Sequence, residues 1–262
     1  MTLNTRNWVL LAGAGLVLLL FIGYSFILYK LIRTVWTGDL IASLAVIEAR
    51  VQTKISVQPG FFTGGAFSLN RFLALHALLF LCSFSGSILF RKYFRKITSS
   101  EIFFIAAFIV TVALDGVSIL QVYRIIFGEP LFYGVISTRI VHFGHYFGIF
   151  CLFIASLFAL GIQYQKFWTL LGIVVLLATV ISYLLPINQT VMYHNLLYKV
   201  DIETGLYFVY YAVALFTVAD YLFAAISTES KGKWIATVCI LIFIFSREIL
   251  FFVQPPELLY SG

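Results

Sequence analysis

The chain has 262 residues, 62% of them hydrophobic and only 11% charged, which excludes an ordinary soluble domain, where about 25% of residues carry charge. Its net charge of +6 comes from basic residues set mostly between apolar runs, so it reports membrane topology and excludes nucleic-acid binding. Three cysteines, Cys82, Cys151 and Cys239, fall inside apolar runs, with no spacing that suits a metal ribbon or a redox pair.

Segments long enough to cross about 30 Å of hydrocarbon occur at 8–32, 71–90, 101–123, 134–162, 167–186, 205–227 and 233–254. The predicted fold class is all-α, a polytopic seven-transmembrane-helix bundle forming a single domain. Its first run, Trp8 to Leu31, is about twice the length of a secretory h-region, and no small-x-small cleavage pattern follows, so it reads as a span. Residues 33–70 form the only long loop. Within it, Leu40, Ile41, Leu44, Ile47 and Val51 recur at helical spacing and predict a short amphipathic helix on the outer membrane surface. Pro59-Gly60 and Gly64-Gly65 mark turns that would let this segment fold over the mouth of the bundle as a lid, or simply tether two spans.

Orientation follows from the run Arg91-Lys92-Tyr93-Phe94-Arg95-Lys96 after the second span, which predicts a cytoplasmic loop. Arg6, Lys166, Lys231 and Lys233 then fall on the same side, giving a cytoplasmic N-terminus and an exoplasmic C-terminus. Trp8, Trp168 and Trp234 each begin a span at that cytoplasmic face, whereas Tyr193, Tyr198, Tyr207, Tyr210 and Tyr211 cluster at the outer one. The expected setting is a lipid bilayer, that of a cell membrane and by preference a bacterial inner membrane. With no appended soluble domain expected, output would pass through loops or through a membrane or cytoplasmic protein partner.

Ionisable residues inside spans cost on the order of 3 kcal/mol each on insertion scales and by default mark function. Span two carries His76 in line with Ser83 and Ser87, and span three carries Asp115 in line with Thr111 and Ser118. In span four, Thr138, Arg139, His142, His145, Tyr146, Ser156 and Gln163 share an arc of roughly 120°, with Gly144, Gly148 and Cys151 opposite. That pattern predicts a central helix with a polar front and a small-residue back. Span five has no charged residue and reads as peripheral. The loop 187–204 is polar and holds the sequon Asn188-Gln189-Thr190. Span six holds Asp220, and span seven holds Arg247 and Glu248, which point about 100° apart.

At about 1.5 Å per residue, His76, Asp115, Arg139, His142, His145, Arg247 and Glu248 come to compatible heights in the outer half. The sharpest pair is Asp115 with Arg247, since a buried guanidinium stays charged and requires a carboxylate or several carbonyls. The pair is either a purely structural clamp or part of a pocket. The leading reading is a non-catalytic receptor- or sensor-like module, or a membrane-complex subunit. It would bind a small-molecule or lipid ligand with a polar or anionic headgroup, through Arg139, His142, His145, His76, Arg247 and Glu248. A second reading is a proton- or cation-coupled transporter using Asp115 and Asp220. A third is a membrane metalloenzyme with His76, His142, His145 and Asp115 around zinc, copper or iron, or a haem held between His76 and span four; no cofactor is required by the leading reading. A retinal photoreceptor is excluded, because a Schiff base needs a lysine inside the last span and the mid-span cation there is Arg247.

Overall fold

In hydrocarbon each backbone polar group must be satisfied within its own segment, so apolar runs of this length close into helices. A computed structural model describes residues 3–36, 46, 48–49, 51, 68–94, 99–162, 167–193 and 195–252. Its helices are α1 (Leu3–Trp36), α2 (Leu69–Phe94), α3 (Ser100–Val112), a 3₁₀ stretch (Ala113–Ser118), α4 (Ile119–Phe127), α5 (Leu131–Ala159), α6 (Phe167–Leu184), α7 (Glu203–Thr228) and α8 (Lys231–Phe252). Among the described residues the fold is all-α apart from one hairpin of β1 (Ile187–Met192) and β2 (Tyr198–Val200). Among the described residues, six helices are long and apolar enough to cross a membrane, with α3, the 3₁₀ stretch and α4 counted as one. These are the features of a multi-pass membrane protein. Most of the 33–70 segment with its two glycine turns lies outside the described residues, as do Arg95, Lys96, Gln163, Lys166 and the tail from Val253.

Left-handed residues set the corners. Gly128, at φ 71°, ends α4 two residues before Pro130 opens α5, as glycine past a helix end and proline at a helix start both favour. Glu229, at φ 48°, closes α7 so that α8 begins almost at once, its first amides bonding the Ser230 carbonyl.

Two apolar cores lie on either side of the third span. One packs Val17, Tyr24, Phe72 and Phe80 of α1 and α2 against Ala113, Ile119 and Val122. The other packs Phe103, Phe104 and Phe108 of α3 against Ile149 and Leu152 of α5, Tyr210 and Tyr221 of α7, and Ile240 and Ile244 of α8. The third span and α5 bury more than half of their apolar stretch, and the remaining spans a third or less. This places α5 at the centre and leaves one side of α6 uncovered, with Ile173, Leu176, Val180 and Leu184 all exposed.

The third span is not one regular helix. Across Ala113–Ser118 the chain tightens to 3₁₀, and side chains take up the carbonyls this disturbs: Ser118 Oγ donates to Asp115 O at 3.0 Å and Ser137 Oγ to Val117 O at 3.0 Å. Just before the break, Ser83 of α2 donates to Ile109 O at 2.7 Å. Such a mid-span interruption is tolerated where it is buried in protein rather than exposed to lipid.

The stretch expected as a polar loop is instead an ordered hairpin, pairing Ile187 with Val200 and Asn188 with Lys199. Its Met192, Leu196, Leu197, Tyr198 and Val200 are buried, which explains why a segment polar at Asn188, Gln189 and Thr190 still folds down. The Tyr198 amide donates to Thr138 Oγ1 at 3.2 Å, and its ring lies 5.6 Å from the Arg124 guanidinium. Burial pushes the Tyr198 phenol up, against that guanidinium, which lowers it. Of the long loop expected as a lid, Glu48 accepts a bond from the Leu69 amide at the start of α2 at 2.9 Å, and Val51 is buried in the core formed with α1 and α2.

Gly116 sits inside the 3₁₀ stretch, where a Cβ would collide with the Phe80 ring of α2. Gly116→Ala is expected to lower stability by about 1–3 kcal/mol, as overpacking does, and Phe80→Leu in the same chain should recover part of the loss. Thermal unfolding in detergent checks both, and additive losses in the double variant would refute the contact.

Candidate functional site

Arg247 and Glu248 are adjacent on α8, so their side chains leave the helix about 100° apart and enter different seams. Arg247 crosses toward the third span. Its Nη2 stands 3.2 Å from Asp115 Oδ1 and its Nε 3.3 Å from Oδ2, a two-pronged pair. Nη1 donates to Thr111 Oγ1 at 3.0 Å, Nη2 reaches Thr111 O at 3.5 Å, and the guanidinium lies 5.3 Å over the Phe108 ring. A side chain this enclosed, 3% exposed, holds its charge only because its donors are occupied in this way.

The space comes from α5. At Gly148 a Cβ would strike Arg247 Nη1 and come within 2.6 Å of Thr111 Oγ1; one turn back, at Gly144, it would come within 2.8 Å of Leu114 Cβ. The glycine face therefore receives the ion pair, and the expected division into a polar front and a small-residue back does not hold. Because α5 is packed against α3, α6 and α7, its polar residues meet separate neighbours.

Arg139 turns to α6, its guanidinium 5.0 Å from the Tyr183 ring, and among the described residues no carboxylate lies at ion-pair distance from it. The His142 Nδ1 stands 2.8 Å from Thr138 O. His145 is stacked on Tyr210, with ring centroids 4.2 Å apart, and its Nε2 lies 3.2 Å from Glu248 Oε1. Glu248 also accepts from the Tyr211 hydroxyl at 3.2 Å, with Tyr210 in hydrogen-bonding reach. His76 lies elsewhere: Nδ1 is 2.7 Å from Phe72 O and Nε2 is 2.8 Å from Ser118 Oγ. Its bond to Ser118 joins it to the 3₁₀ stretch and not to the other histidines.

Depth differs as well. Along α5, Gly148 lies about 26 Å from Leu131 and His145 about 21 Å, so the ion pair sits near the middle of this helix, whose 29 residues centre on His145. The span expected from 134 begins at Leu131, which moves these residues toward the middle of the helix. Toward the other end, Asp220 accepts from Ser156 Oγ at 2.8 Å, while Thr217 bonds Val213 O rather than Asp220. Beyond it, the Tyr221 hydroxyl donates to Glu101 at 3.2 Å and the Lys233 ammonium to Ala159 O at 3.0 Å.

Compared with protein-family models, with curated proteins and with solved structures, the chain matches none. What the site can do rests on its own residues. Among the described residues, no group of three or more His, Cys, Asp or Glu side chains is placed to hold a metal ion. His76, His142, His145 and Asp115 are not assembled as a ligand set for zinc, copper or iron, and both nitrogens of His76 are engaged, which leaves it no haem-ligating position.

Tyr210, Tyr221, Ser156 and Glu101 were not foreseen as partners in these contacts. The signal for the tyrosines is a helical stripe of buried Tyr210, Ala214, Thr217, Tyr221 and Ala224, with tyrosine in place of an aliphatic residue at two points. Glu101 passes for an ordinary residue at the start of a span.

Removing one partner of a buried pair leaves a bare charge, at a cost of about 3–5 kcal/mol. Asp115→Asn is expected to lose that much in a detergent-unfolding titration, and Asp115→Asn with Arg247→Gln to lose clearly less. Gly148→Ala should be nearly as damaging as the single variant, since its methyl occupies the guanidinium's place; a variant as stable as the wild type would refute the cradle.

Proposed function

We propose that the chain is a seven-span, non-catalytic membrane module, receptor- or sensor-like or a subunit of a larger membrane complex, that holds a ligand with an anionic headgroup at Arg139. One observation carries the reading: a half-buried arginine on a membrane-spanning helix with no acid at ion-pair distance among the described residues. Arg247 has the same charge, but Asp115 neutralises it and Thr111 fills its donors. Arg139 instead has an aromatic face at 5.0 Å and, in Tyr183, a neighbour that is itself 67% exposed.

Arg139 stands about 12 Å along α5 from Leu131. Because α5 is about 43 Å long against a hydrocarbon core of about 30 Å, its guanidinium is within snorkelling reach of the headgroups at the hairpin end. A phosphate there would accept the fork of donors in a way that an isolated ammonium does not match. His142 lies one turn further along the same helix. His76, His145, Arg247 and Glu248 contribute to the frame around the site rather than to the ligand.

The seventh span in this reading is α8, about 33 Å long and opened by Lys231 and Lys233. Basic residues at its start and at the end of α2, Arg91 and Lys92, put those ends in the cytoplasm and the hairpin outside. The setting is a cell membrane, by preference a bacterial inner one, and signalling from it would use a membrane or cytoplasmic protein partner.

The purified protein is expected to retain phosphatidylglycerol over phosphatidylcholine in native mass spectrometry, and Arg139→Gln to lose about tenfold in that preference, the worth of one charge-assisted contact. Competition by millimolar inorganic phosphate would identify a free anion rather than a lipid as the ligand; equal lipid binding by Arg139→Gln would end the reading. For topology, Gln189→Cys should react with a membrane-impermeant maleimide on intact cells and Ser230→Cys only after permeabilisation. The reverse pattern would invert the bundle.

A further inference from the structure

A ring nitrogen that meets a carbonyl oxygen must carry a hydrogen, because a carbonyl only accepts. His76 Nδ1 stands 2.7 Å from Phe72 O, so it is a donor. The other nitrogen, Nε2, lies 2.8 Å from Ser118 Oγ, and that hydroxyl also lies 3.0 Å from Asp115 O. Ser118 has a single hydrogen to give. In a neutral His76, Nε2 is a bare acceptor that competes with the Asp115 carbonyl for this hydrogen, so one of the two contacts goes without. In an imidazolium, Nε2–H donates to Ser118 Oγ and the hydroxyl donates to Asp115 O. All three contacts are hydrogen bonds only when the ring holds both of its protons.

Burial works against a charge on the ring, and several groups here stand against that cost. The Phe72 ring offers an aromatic face with its centroid 4.0 Å from that of the imidazole. The Asp115 carboxylate is the charged group that acts on the ring. Other charged and titratable groups on the packed elements are committed elsewhere: Tyr24 of α1 to the Leu73 carbonyl, Lys30 of α1 to the Tyr123 hydroxyl of α4, Glu48 to the Leu69 amide, and Arg247 to Asp115 itself. Arg71, on α2 with His76, is exposed.

The bond at stake belongs to the break in the third span. Asp115 O is a carbonyl of the 3₁₀ stretch, and the carboxylate of the same residue holds Arg247. A 3₁₀ segment inside a longer helix is a place where helices hinge. A Ser118 hydroxyl committed to Asp115 O pins that hinge, and one drawn toward the imidazole does not.

We propose that His76 is an acid-sensing latch on the third span, which on taking up a proton commits Ser118 to the Asp115 carbonyl and fixes the 3₁₀ break. The step balances simply: the imidazole takes one proton from water, an N–H bond forms at Nε2, and the Ser118 O–H turns from Nε2 to Asp115 O. Deprotonation runs the same change backwards. The latch stands apart from the anion site at Arg139 and does not depend on it.

The test uses the full chain in lipid nanodiscs, with its histidine ring nitrogens isotopically labelled for magnetic resonance. The signal lost in His76→Gln is expected to pass from one protonated nitrogen to two between about pH 7.5 and about pH 5. Hydrogen exchange at the amides of Ala113–Ser118, corrected for the intrinsic effect of pH, should slow about fivefold over the same range, the worth of one net hydrogen bond. In His76→Gln it should show no such slowing. Amides of α6, a helix without histidine, serve as the control. Should His76→Gln fail to fold, Ser118→Ala decides the matter: the acid slowing should vanish, and one histidine transition should fall by about one pH unit, since the imidazolium loses more with this hydroxyl than the neutral ring does. A His76 ring that stays singly protonated across this range, or acid slowing that persists in His76→Gln or in Ser118→Ala, would overturn the proposal.

Discussion

A guanidinium that cannot be neutralised, set near the middle of a membrane-spanning bundle, constrains everything near it. Arg247 must find both a compensating charge and acceptors for its donors, and it finds them on one neighbour: Asp115, the Thr111 hydroxyl and the Thr111 carbonyl all belong to the third span. Reaching that neighbour means passing α5, which is possible only where α5 has no side chain. Gly148 is that place. The break in the third span falls on the residue that pairs with the arginine, since Asp115 and Gly116 are both in the 3₁₀ stretch. The ion pair, the glycine and the break thus form one solution to a single electrostatic demand.

This demand was legible in the sequence because it depends on quantities a sequence carries. Depth follows from 1.5 Å per residue, and an arginine's permanent charge implies an acid at similar depth. The six apolar spans are readable for a similar reason: length and composition suffice. What could not be read was azimuth between helices. Arg139, His142 and His145 share an arc on α5, which suggests one shared site, yet α6, the Thr138 carbonyl and Glu248 of α8 take one each. An arc on a helical wheel becomes a common site only if one neighbour covers it, and a helix surrounded on every side has several. His76 was misleading in a simpler way, because a histidine bonded to its own backbone and to Ser118 looks in the sequence like a ligand.

The hairpin was missed for a different reason. Ile187, Val191, Met192, Leu196 and Leu197 are too few and too broken by Asn188, Gln189, Thr190 and Asn195 to read as a buried strand pair. They fold down because the bundle offers the end of α5 as a floor, where Thr138 receives the Tyr198 amide and Gly134 leaves room for the Tyr198 ring. Context from the rest of the chain supplies the burial that local composition does not signal.

Two arginines at different depths meet the same cost in different ways. Arg247 is enclosed, so its charge had to be cancelled by the fold, and what is cancelled cannot attract a ligand. Arg139 is less enclosed, with the Tyr183 ring at 5.0 Å and no carboxylate at ion-pair distance among the described residues, and on the proposed reading its charge is left for an anion. Asp220 stands to Asp115 in the same relation. Asp115 is held by a cation, whereas Asp220 is held by the Ser156 hydroxyl. A buried charged group in this bundle is therefore clamped where its partner is of opposite, fixed charge, and held by weaker contacts where its partner is neutral.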